Sequence, residues 1–190
     1  VYFIPPFFPE TIKNANDEGA TTIIHGGVAH YKHNYTMKKR IGINKKPSKK
    51  YKKSVEQSDY VFALSSFVKN TYVNYGYEDK NVFTTQIGVD TDRYRPKDRD
   101  DDVFRIICVG NYTKLKGFQY VIKAFISLRL DNAKLIVLGK PAKCMQKIVN
   151  QAKEKQNITI ACQQNPIPFY RKSSILIHPS LSDGWGKVVT

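Results

Sequence analysis

The sequence predicts an α/β fold with two Rossmann-like domains, each built on a parallel sheet. Short runs of β-branched and aromatic residues alternate with stretches of helical spacing, which is the pattern of βαβ units. The polar segment 97–102 contains no apolar residue and separates two such alternations. A chain of 190 residues, of which 41% are hydrophobic, can fill two small cores. The predicted domains are therefore residues 1–96 and 103–190, joined by the linker 97–102.

The first predicted domain has three strand candidates: Thr21–Ile24, Asp59–Leu64 and Asn81–Phe83. Either Ser65 or Ser66 is a suitable N-cap for a helix that continues through Tyr72 and stops at Gly76. Three strands are fewer than a doubly wound domain needs. We therefore expect this domain to be incomplete within the chain.

The second predicted domain shows the same alternation more strongly. Its strand candidates are Phe104–Val109, Ala133–Leu138, Ile158–Ala161 and Ser174–Ile177. Its helix candidates run from Gly117 to about Leu130 and from Pro141 to about Glu154. A further helix pattern begins after Gly186 and is cut at the end of the chain, so this domain is also expected to be incomplete.

A net charge of +15 and a pI near 9.7 are the strongest features of the composition. They indicate an anionic partner, such as a phosphorylated substrate, an anionic lipid surface or a nucleic acid. The segment Lys38–Lys53 contains nine basic residues and no acidic one. Two interpretations of it stay open: a solvated helical surface, or a docking surface for an anionic membrane. Only Tyr35 and Tyr51 interleave the basic residues and no nucleic-acid motif is present, which disfavours nucleic acid.

The three cysteines, Cys108, Cys144 and Cys162, lack the spacing of a metal site. Cys108 lies within a predicted strand and is interpreted as a small buried apolar residue. An odd and sparse set of cysteines is typical of a reducing compartment. No apolar run reaches the length of a membrane span, and the first residues do not resemble a signal peptide. We therefore expect a cytoplasmic protein.

The segment Val109–Gly117 is the strongest candidate site. A predicted strand ends at Gly110, a loop follows, and Lys116 and Gly117 open a helix. The start of a helix offers unpaired N–H groups and the positive end of its dipole, and Lys116 adds a full charge. The order of Gly and Lys differs from that of a P-loop. The segment predicts an anion site; a plain connecting loop with a solvated lysine is the alternative.

A second candidate follows the last predicted strand. His178–Ser180 form a turn, Asp183 comes next, and Gly184, Trp185 and Gly186 precede the helix pattern. A carboxylate at this place can accept hydrogen bonds from sugar hydroxyls, and the glycines leave room for N–H groups to face a ligand. The alternative role of Asp183 is that of a helix N-cap.

The loop after the strand Thr21–Ile24 is a third candidate, and it contains His25 and His30. A side chain at the carboxyl end of a parallel strand faces the crevice in which α/β proteins bind ligands. His30 is therefore a candidate for contact with a substrate. A histidine that caps the following helix is the alternative.

These motifs resemble those of the GT-B glycosyltransferases, in particular the retaining enzymes grouped as family four. In that family a strand, a loop and a Lys-Gly step bind the donor diphosphate, and an acid followed by Gly-aromatic-Gly binds the donor sugar. The resemblance extends from about Glu18 to Thr190. It implies the back part of the acceptor-side domain and the front part of the donor-binding domain.

The resemblance implies a role for each matching residue. The implied donor-binding residues are Gly110, Asn111, Lys114, Lys116, Gly117, Asp183, Gly184, Trp185 and Gly186. The implied catalytic residues are His30, Lys116 and Asp183. Asn111 stands where many members have an arginine, so Lys114 would have to complete the phosphate clamp. Asp183 replaces the usual glutamate, and the family's second glutamate would fall beyond the end of this chain.

Three further segments resemble parts of the family. Gly88–Asp90 with Arg95–Pro96 is similar to the interdomain passage and implies hinge geometry. Gln163–Pro168 lies where the family's loop flanks the nucleobase. Ser65–Lys69 is similar to a structural turn between a strand and a helix.

The sequence therefore predicts a retaining glycosyltransferase that uses a nucleotide-diphosphate sugar. The resemblance implies no metal and no other cofactor, because Lys116 and helix dipoles take the place of Mg²⁺. The acceptor stays open, with a lipid-linked molecule and a polysaccharide as the candidates. Docking of Lys38–Lys53 on an anionic membrane would place the protein at the inner face of that membrane. Alternatives are a basic anion- or nucleic-acid-binding module without catalysis, and a phosphorylase-like enzyme. Alone, the chain is expected to be inactive and to bind nucleoside diphosphates weakly.

Overall fold

The computed structural model describes residues 1–97, 99, 101–162 and 165–190. It divides into two compact units, Val1–Gly88 with Ser182–Trp185, and Val89–Leu181 with Gly186–Thr190. The predicted linker 97–102 includes Asp98 and Asp100, which lie outside the described residues. The domain boundaries predicted from the sequence therefore stay a prediction.

The first unit contains one parallel sheet covered by helices. Its elements are β1 (Tyr2–Ile4), α1 (Pro9–Asp17), β2 (Thr22–Gly26), α2 (Tyr31–Arg40), α3 (Lys49–Gln57), β3 (Tyr60–Ala63), α4 (Ser66–Val73) and β4 (Val82–Thr84). The strands follow the order β1-β2-β3-β4, and each pairs in parallel with its neighbour. Ile12 of α1, Ile24 of β2 and Val61 of β3 are completely buried. The alternation of apolar residues in these strands thus fills one continuous core.

The helices of the first unit carry a tyrosine-rich part of this core. The hydroxyl groups of Tyr51 and Tyr72 lie 3.0 Å apart, so two buried polar groups satisfy each other. Ser65 accepts a hydrogen bond from the backbone N–H of Val68 at 3.2 Å, which confirms the predicted N-cap of α4.

The second unit contains a separate parallel sheet. Its elements are β5 (Phe104–Val109), α5 (Phe118–Leu128), β6 (Ala133–Leu138), α6 (Gln146–Lys153), β7 (Ile158–Ala161), α7 (Ile167–Lys172) and β8 (Ile175–Leu176). The strand order is β7-β6-β5-β8, and every pair is parallel. Cys108 of β5 is buried, as predicted, and burial raises the pKa of its thiol to about 12.

The predicted fold class is confirmed, because both sheets are parallel and connected through helices. Two predicted helices differ in extent. The helix expected from Pro141 begins only at Gln146, because Pro141 pairs with Tyr112 in an isolated parallel bridge. The helix pattern after Gly186 is a single 3-10 turn over Lys187–Val189. None of the helices in the described part of the chain is long and apolar enough to cross a membrane.

The predicted hinge segment is held by local hydrogen bonds. One carboxylate oxygen of Asp90 accepts from the backbone N–H of Asp92 at 3.1 Å and of Arg93 at 3.0 Å. Such a turn, closed by its own aspartate, fixes the direction of the chain without burying it. The hinge role of Gly88–Asp90 stays a prediction.

A substitution at Leu135 tests how much the buried strand β6 contributes to the stability of the second unit. Leu135 is completely buried in β6, so Leu135→Ala should lower the free energy of unfolding by about 2 to 5 kcal/mol. The neighbouring exposed residue is the control: Lys134→Ala should change it by less than about 0.5 kcal/mol. Urea unfolding followed by circular dichroism measures both, and equal effects would contradict the burial of β6 residues described above.

Candidate functional site

Tyr112 anchors the loop that follows β5. Its side chain is completely buried, and its hydroxyl donates to the carbonyl of Val137. Its ring stacks on Phe118 with centroids 4.9 Å apart, and its backbone N–H donates to the carbonyl of Lys140 at 2.9 Å. The loop is therefore tied to β6 and to the first residue of α5, which limits the positions that its charged residues can take.

The loop ends in a 3-10 turn that places Lys116 directly before α5. The turn covers Lys114–Lys116, and Thr113 caps it by accepting a hydrogen bond from the N–H of Lys116 at 3.3 Å. The side-chain amide of Gln119 donates to the carbonyl of Lys114 at 3.0 Å. Both lysine side chains are partly buried, whereas Asn111 is exposed.

Gly117 lets the exit of β8 contact the start of α5. Its φ is +74°, and a Cβ atom built on it would lie 2.0 Å from the carbonyl oxygen of Pro179. The N–H of Leu181 donates to the carbonyl of Leu115 at 2.9 Å on the same side. The second unit thus brings together two segments that the sequence marked separately, the loop ending at Gly117 and the turn after β8.

The start of α5 is suited to bind an anion. The helix has eleven residues and no acidic residue in its own first turn, so no carboxylate of that turn opposes its N–H groups and the positive end of its dipole. Lys114 and Lys116 add positive charge immediately before the helix. This arrangement can stabilise a phosphate or diphosphate by backbone hydrogen bonds and by charge.

The segment Ser182–Trp185 belongs to the first unit, where its backbone is held closely. The hydroxyl of Ser65 donates to the carbonyl of Gly184 at 2.6 Å. A Cβ atom on Gly184 would lie 2.0 Å from the carbonyl oxygen of Gly27, so only glycine fits. The carboxylate of Asp183 accepts from the N–H of Gly184 at 2.9 Å. These contacts fix the backbone immediately after Asp183.

Asn34 of α2 forms hydrogen bonds with two segments of the first unit, the loop after β2 and the segment Ser182–Trp185. The hydroxyl of Ser182 donates to the side-chain oxygen of Asn34 at 2.8 Å. The amide of Asn34 donates to the carbonyl of Ala29 at 2.7 Å. The indole N–H of Trp185 is buried and has no hydrogen-bond partner among the described residues. Asn34 therefore links the loop after β2 to the segment that carries Asp183.

His30 lies inside the first unit and caps α2. It is only 3% exposed, and its Nδ1 accepts a hydrogen bond from the N–H of Lys32 at 3.3 Å. Its ring stacks on Tyr75 with centroids 5.0 Å apart. Burial, with a smaller contribution from the nearby Lys32 charge, lowers the pKa of His30 to about 4. These contacts suit a neutral helix cap, and the predicted catalytic role of His30 stays a prediction.

The loop Gln163–Pro168 is described only in part, since Gln163 and Gln164 lie outside the described residues. Its predicted contact with a nucleobase stays a prediction. Across the ranges that the structure describes, no three His, Cys, Asp or Glu residues are grouped so that they could hold a metal ion.

Residues 90–190 match the family model described as glycosyl transferases group 1. The chain belongs to this family. The match covers all of the second unit except Val89, together with the segment that carries Asp183, so both candidate donor motifs lie inside it. No curated protein sequence is significantly similar to the chain.

Solved structures resemble the chain in fold. HepE of Anabaena, in complex with UDP and glucose, has a TM-score of 0.72 and 12% identity, over 98% of this chain and 55% of HepE. Sucrose-phosphate synthase of Thermosynechococcus elongatus has a TM-score of 0.75 and 13% identity, over 98% and 52%. An E. coli structure described as trehalose-6-phosphate bound with UDP-2-fluoro glucose has a TM-score of 0.64 and 10% identity, over 96% and 52%.

These similarities establish that the chain has the GT-B fold. The chain spans about half the length of the solved structures that it matches. The sequence motifs predict donor-binding roles for the Lys-Gly loop and the acid-Gly-Trp segment, and these roles stay predictions. The motifs do not indicate the contacts of Tyr112 and Asn34, or the hydrogen bond from Ser65 to Gly184. Tyr112 could have been noticed as an aromatic residue within a polar loop; Asn34 gives no such signal.

Gly117 provides a stereochemical test of the contact with Pro179. Gly19 has the same φ of +74° but no atom within 4 Å of a Cβ position, so it is the matched control. Gly19→Ala should cost about 1 to 2 kcal/mol of stability from the left-handed backbone alone. Gly117→Ala should cost about 1 to 3 kcal/mol more because of the clash. Thermal unfolding of both variants measures the difference, and equal losses would argue against the close contact.

His30 should make the stability of the first unit depend on pH. Its pKa is about 4 in the folded state and 6.5 when unperturbed, so below pH 6.5 the unfolded chain binds a proton that the folded chain does not. The contribution of His30 to the free energy of unfolding is therefore fully present above pH 6.5 and is lost progressively as the pH falls to about 4. At about pH 5 the loss should be about 2 kcal/mol. Urea unfolding at neutral and acidic pH measures this.

The control for that experiment is a pair of variants. His30→Asn keeps a capping side chain but cannot titrate, so most of the loss should disappear. His25→Asn, at an exposed position, should show the same loss of stability at acidic pH as the wild type. A pH dependence unchanged in His30→Asn would mean that other groups cause it.

Proposed function

We propose that the chain is part of a retaining glycosyltransferase that transfers a sugar from a nucleotide-diphosphate sugar to an acceptor. The observation that carries the proposal is the acid-free start of α5, with Lys116 immediately before it and the exit of β8 packed against it. The family membership supports sugar transfer, and the UDP in the HepE structure supports a nucleotide sugar as donor.

In this proposal the second unit binds the diphosphate of the donor. Lys116 and the N–H groups at the start of α5 stabilise the charge that develops on the departing diphosphate. Lys114 and Gly110 complete the site, and Asn111 supplies an uncharged donor where an arginine is common. Lysine and the helix dipole act as the charge sink, so no metal and no other cofactor takes part.

The segment from Asp183 to Gly186 binds the sugar in this proposal. The carboxylate of Asp183 accepts hydrogen bonds from sugar hydroxyls, and Trp185 forms one wall of the site. Ser65 and Gly27 support this role, because they hold the backbone of Gly184 and leave Asp183 little freedom. His30 caps α2 and so supports the loop after β2, and in this proposal it addresses the sugar or the acceptor from there.

The acceptor in this proposal is a lipid-linked molecule or a polysaccharide, and the protein works in the cytoplasm at the inner face of a membrane. The net charge of +15 supports an acceptor or surface that carries negative charge. The same charge favours one competing function, a module that binds anions or nucleic acid without catalysis. Binding to a polyanion that weakens steeply with salt, together with no binding of nucleotide sugars, would favour that function.

Lys116 tests the proposed diphosphate site. In the full-length enzyme, Lys116→Ala should lower turnover roughly a hundredfold or more, because removing one donor to a developing charge costs about 3 to 4 kcal/mol. Lys123→Ala removes an exposed lysine from the same helix α5 and should leave turnover unchanged. Steady-state kinetics with a nucleotide-sugar donor measures both. Near-normal turnover of Lys116→Ala would overturn the assignment.

A further inference from the structure

Phe7 and Phe8 form an exposed apolar surface beside the start of α3. The two side chains are 54% and 55% exposed. A groove of about 280 Å³ lies between them and the lysines of α3. It is lined by Phe7, Phe8, Pro9, Glu10, Thr11, Lys49, Lys50 and Lys53. We call Phe7, Phe8, Lys49, Lys50 and Lys53 the aromatic-lysine surface; the sugar-transfer reaction proposed above does not use it.

Phe7 is held against a buried tyrosine, and neither phenylalanine is part of the core. The ring of Phe7 packs on that of Tyr51 with centroids 5.5 Å apart, and Tyr51 is itself buried. Proline at position 9 begins α1 directly after Phe8, and its fixed φ stiffens the turn. Two adjacent aromatic side chains exposed to water indicate an apolar partner.

The lysines around the groove give the surface a positive charge. Lys49 and Lys50 have no acidic partner within 4.0 Å among the residues that the structure describes. Glu10 is the acidic lining residue, and Lys53 neutralises it at 2.8 Å. The hydrogen bond from Lys53 also lowers the pKa of Glu10, which keeps the pair charged. The two unpaired lysines therefore add net positive charge next to exposed aromatic carbon.

We propose that the aromatic-lysine surface docks on a bilayer of anionic phospholipid. Phe7 and Phe8 enter the boundary between headgroups and acyl chains, and Lys49 and Lys50 contact the phosphates. The combination of inserted aromatic rings with flanking lysines is what interfacial binding requires. The proposal rests on the membrane location proposed above and names the surface that docks there, and the vesicle experiments below test it without sugar transfer.

A nucleic acid fits this surface less well. The groove lining contains no Arg, Asn or Gln side chain to bind base edges, and it includes the carboxylate of Glu10. Nucleic-acid sites pair aromatic stacking with polar contacts to bases. Phenylalanines flanked by lysines on an apolar groove match a lipid boundary more closely, and a nucleic acid becomes one outcome of the test.

Sedimentation of the chain with vesicles tests the proposal. The chain should bind vesicles of equal parts phosphatidylglycerol and phosphatidylcholine, and bind vesicles of phosphatidylcholine alone much more weakly. The double variant Lys49→Ala/Lys50→Ala should bind the anionic vesicles roughly thirtyfold more weakly, since each lysine near an anionic surface contributes roughly a fivefold factor. Lys147→Ala/Lys153→Ala removes two exposed lysines from α6 and is the control, which should bind nearly as wild type.

A second measurement separates insertion from adsorption by charge alone. Because Phe7 packs on Tyr51, its removal could unfold α3, so the probe is Phe8→Trp. With vesicles that contain brominated lipid, Phe8→Trp should show quenching above the wild-type background from Trp185. Circular dichroism establishes that the variant is folded.

Each other outcome overturns the proposal. Equal binding of the Lys49→Ala/Lys50→Ala and Lys147→Ala/Lys153→Ala variants to anionic vesicles would show that the net charge of the chain, and not this surface, determines the binding. Absence of extra quenching in vesicle-bound Phe8→Trp would show that the aromatic residues stay in water. Displacement of the chain from vesicles by a single-stranded oligonucleotide at equal phosphate concentration would show that nucleic acid is the preferred partner.

Discussion

The close contact between Gly117 and Pro179 is the constraint on which the candidate donor site depends. A Cβ atom at Gly117 would occupy the space of the Pro179 carbonyl oxygen, 2.0 Å away. The contact brings the exit of β8 against the start of α5, although about sixty residues of chain separate the two segments. Tyr112 fixes the other side of the loop through its buried hydroxyl and its stacking on Phe118. The positive charge of Lys116 is thereby held beside the start of α5, and phosphate needs little reorganisation to bind there.

Parallel sheets explain why the candidate residues lie in loops that follow strands. The loop with His30 follows β2, the Lys116 loop follows β5, and the turn at Pro179 follows β8. In each sheet these loops share the carboxyl edge, where helix starts provide N–H groups and strand ends provide short, well-supported connections. The chemistry of the site is carried by few residues, and the remaining contacts hold them in place. Ser65 and Asn34 are examples, since each bonds to the segment Ser182–Gly184 within the first unit.

The sequence was sufficient to predict the fold class and most strands. Parallel strands are buried on both faces, so each appears in the sequence as a short, continuous run of apolar residues. It was not sufficient for β1 or α1. β1 has only three residues, Phe7 and Phe8 are exposed in the structure, and the amphipathic pattern of α3 is concealed among its lysines. Lys116 and Asp183 can be proposed as site residues from the sequence because their motifs carry chemistry. Tyr112 and Asn34 were missed because their importance comes from partners distant in sequence, which only folding brings together.

The most direct test of the donor site is an NMR titration of isotope-labelled chain with UDP. The largest amide shifts should fall on Lys116, Gly117 and Phe118, and saturating phosphate should reverse them in part. The second unit also has a groove of about 680 Å³ lined by residues such as Phe125, Arg129 and Lys155, at the end of α5 and the beginning of β7. Shifts confined to that groove, or absent from the start of α5, would contradict a diphosphate site at Lys116.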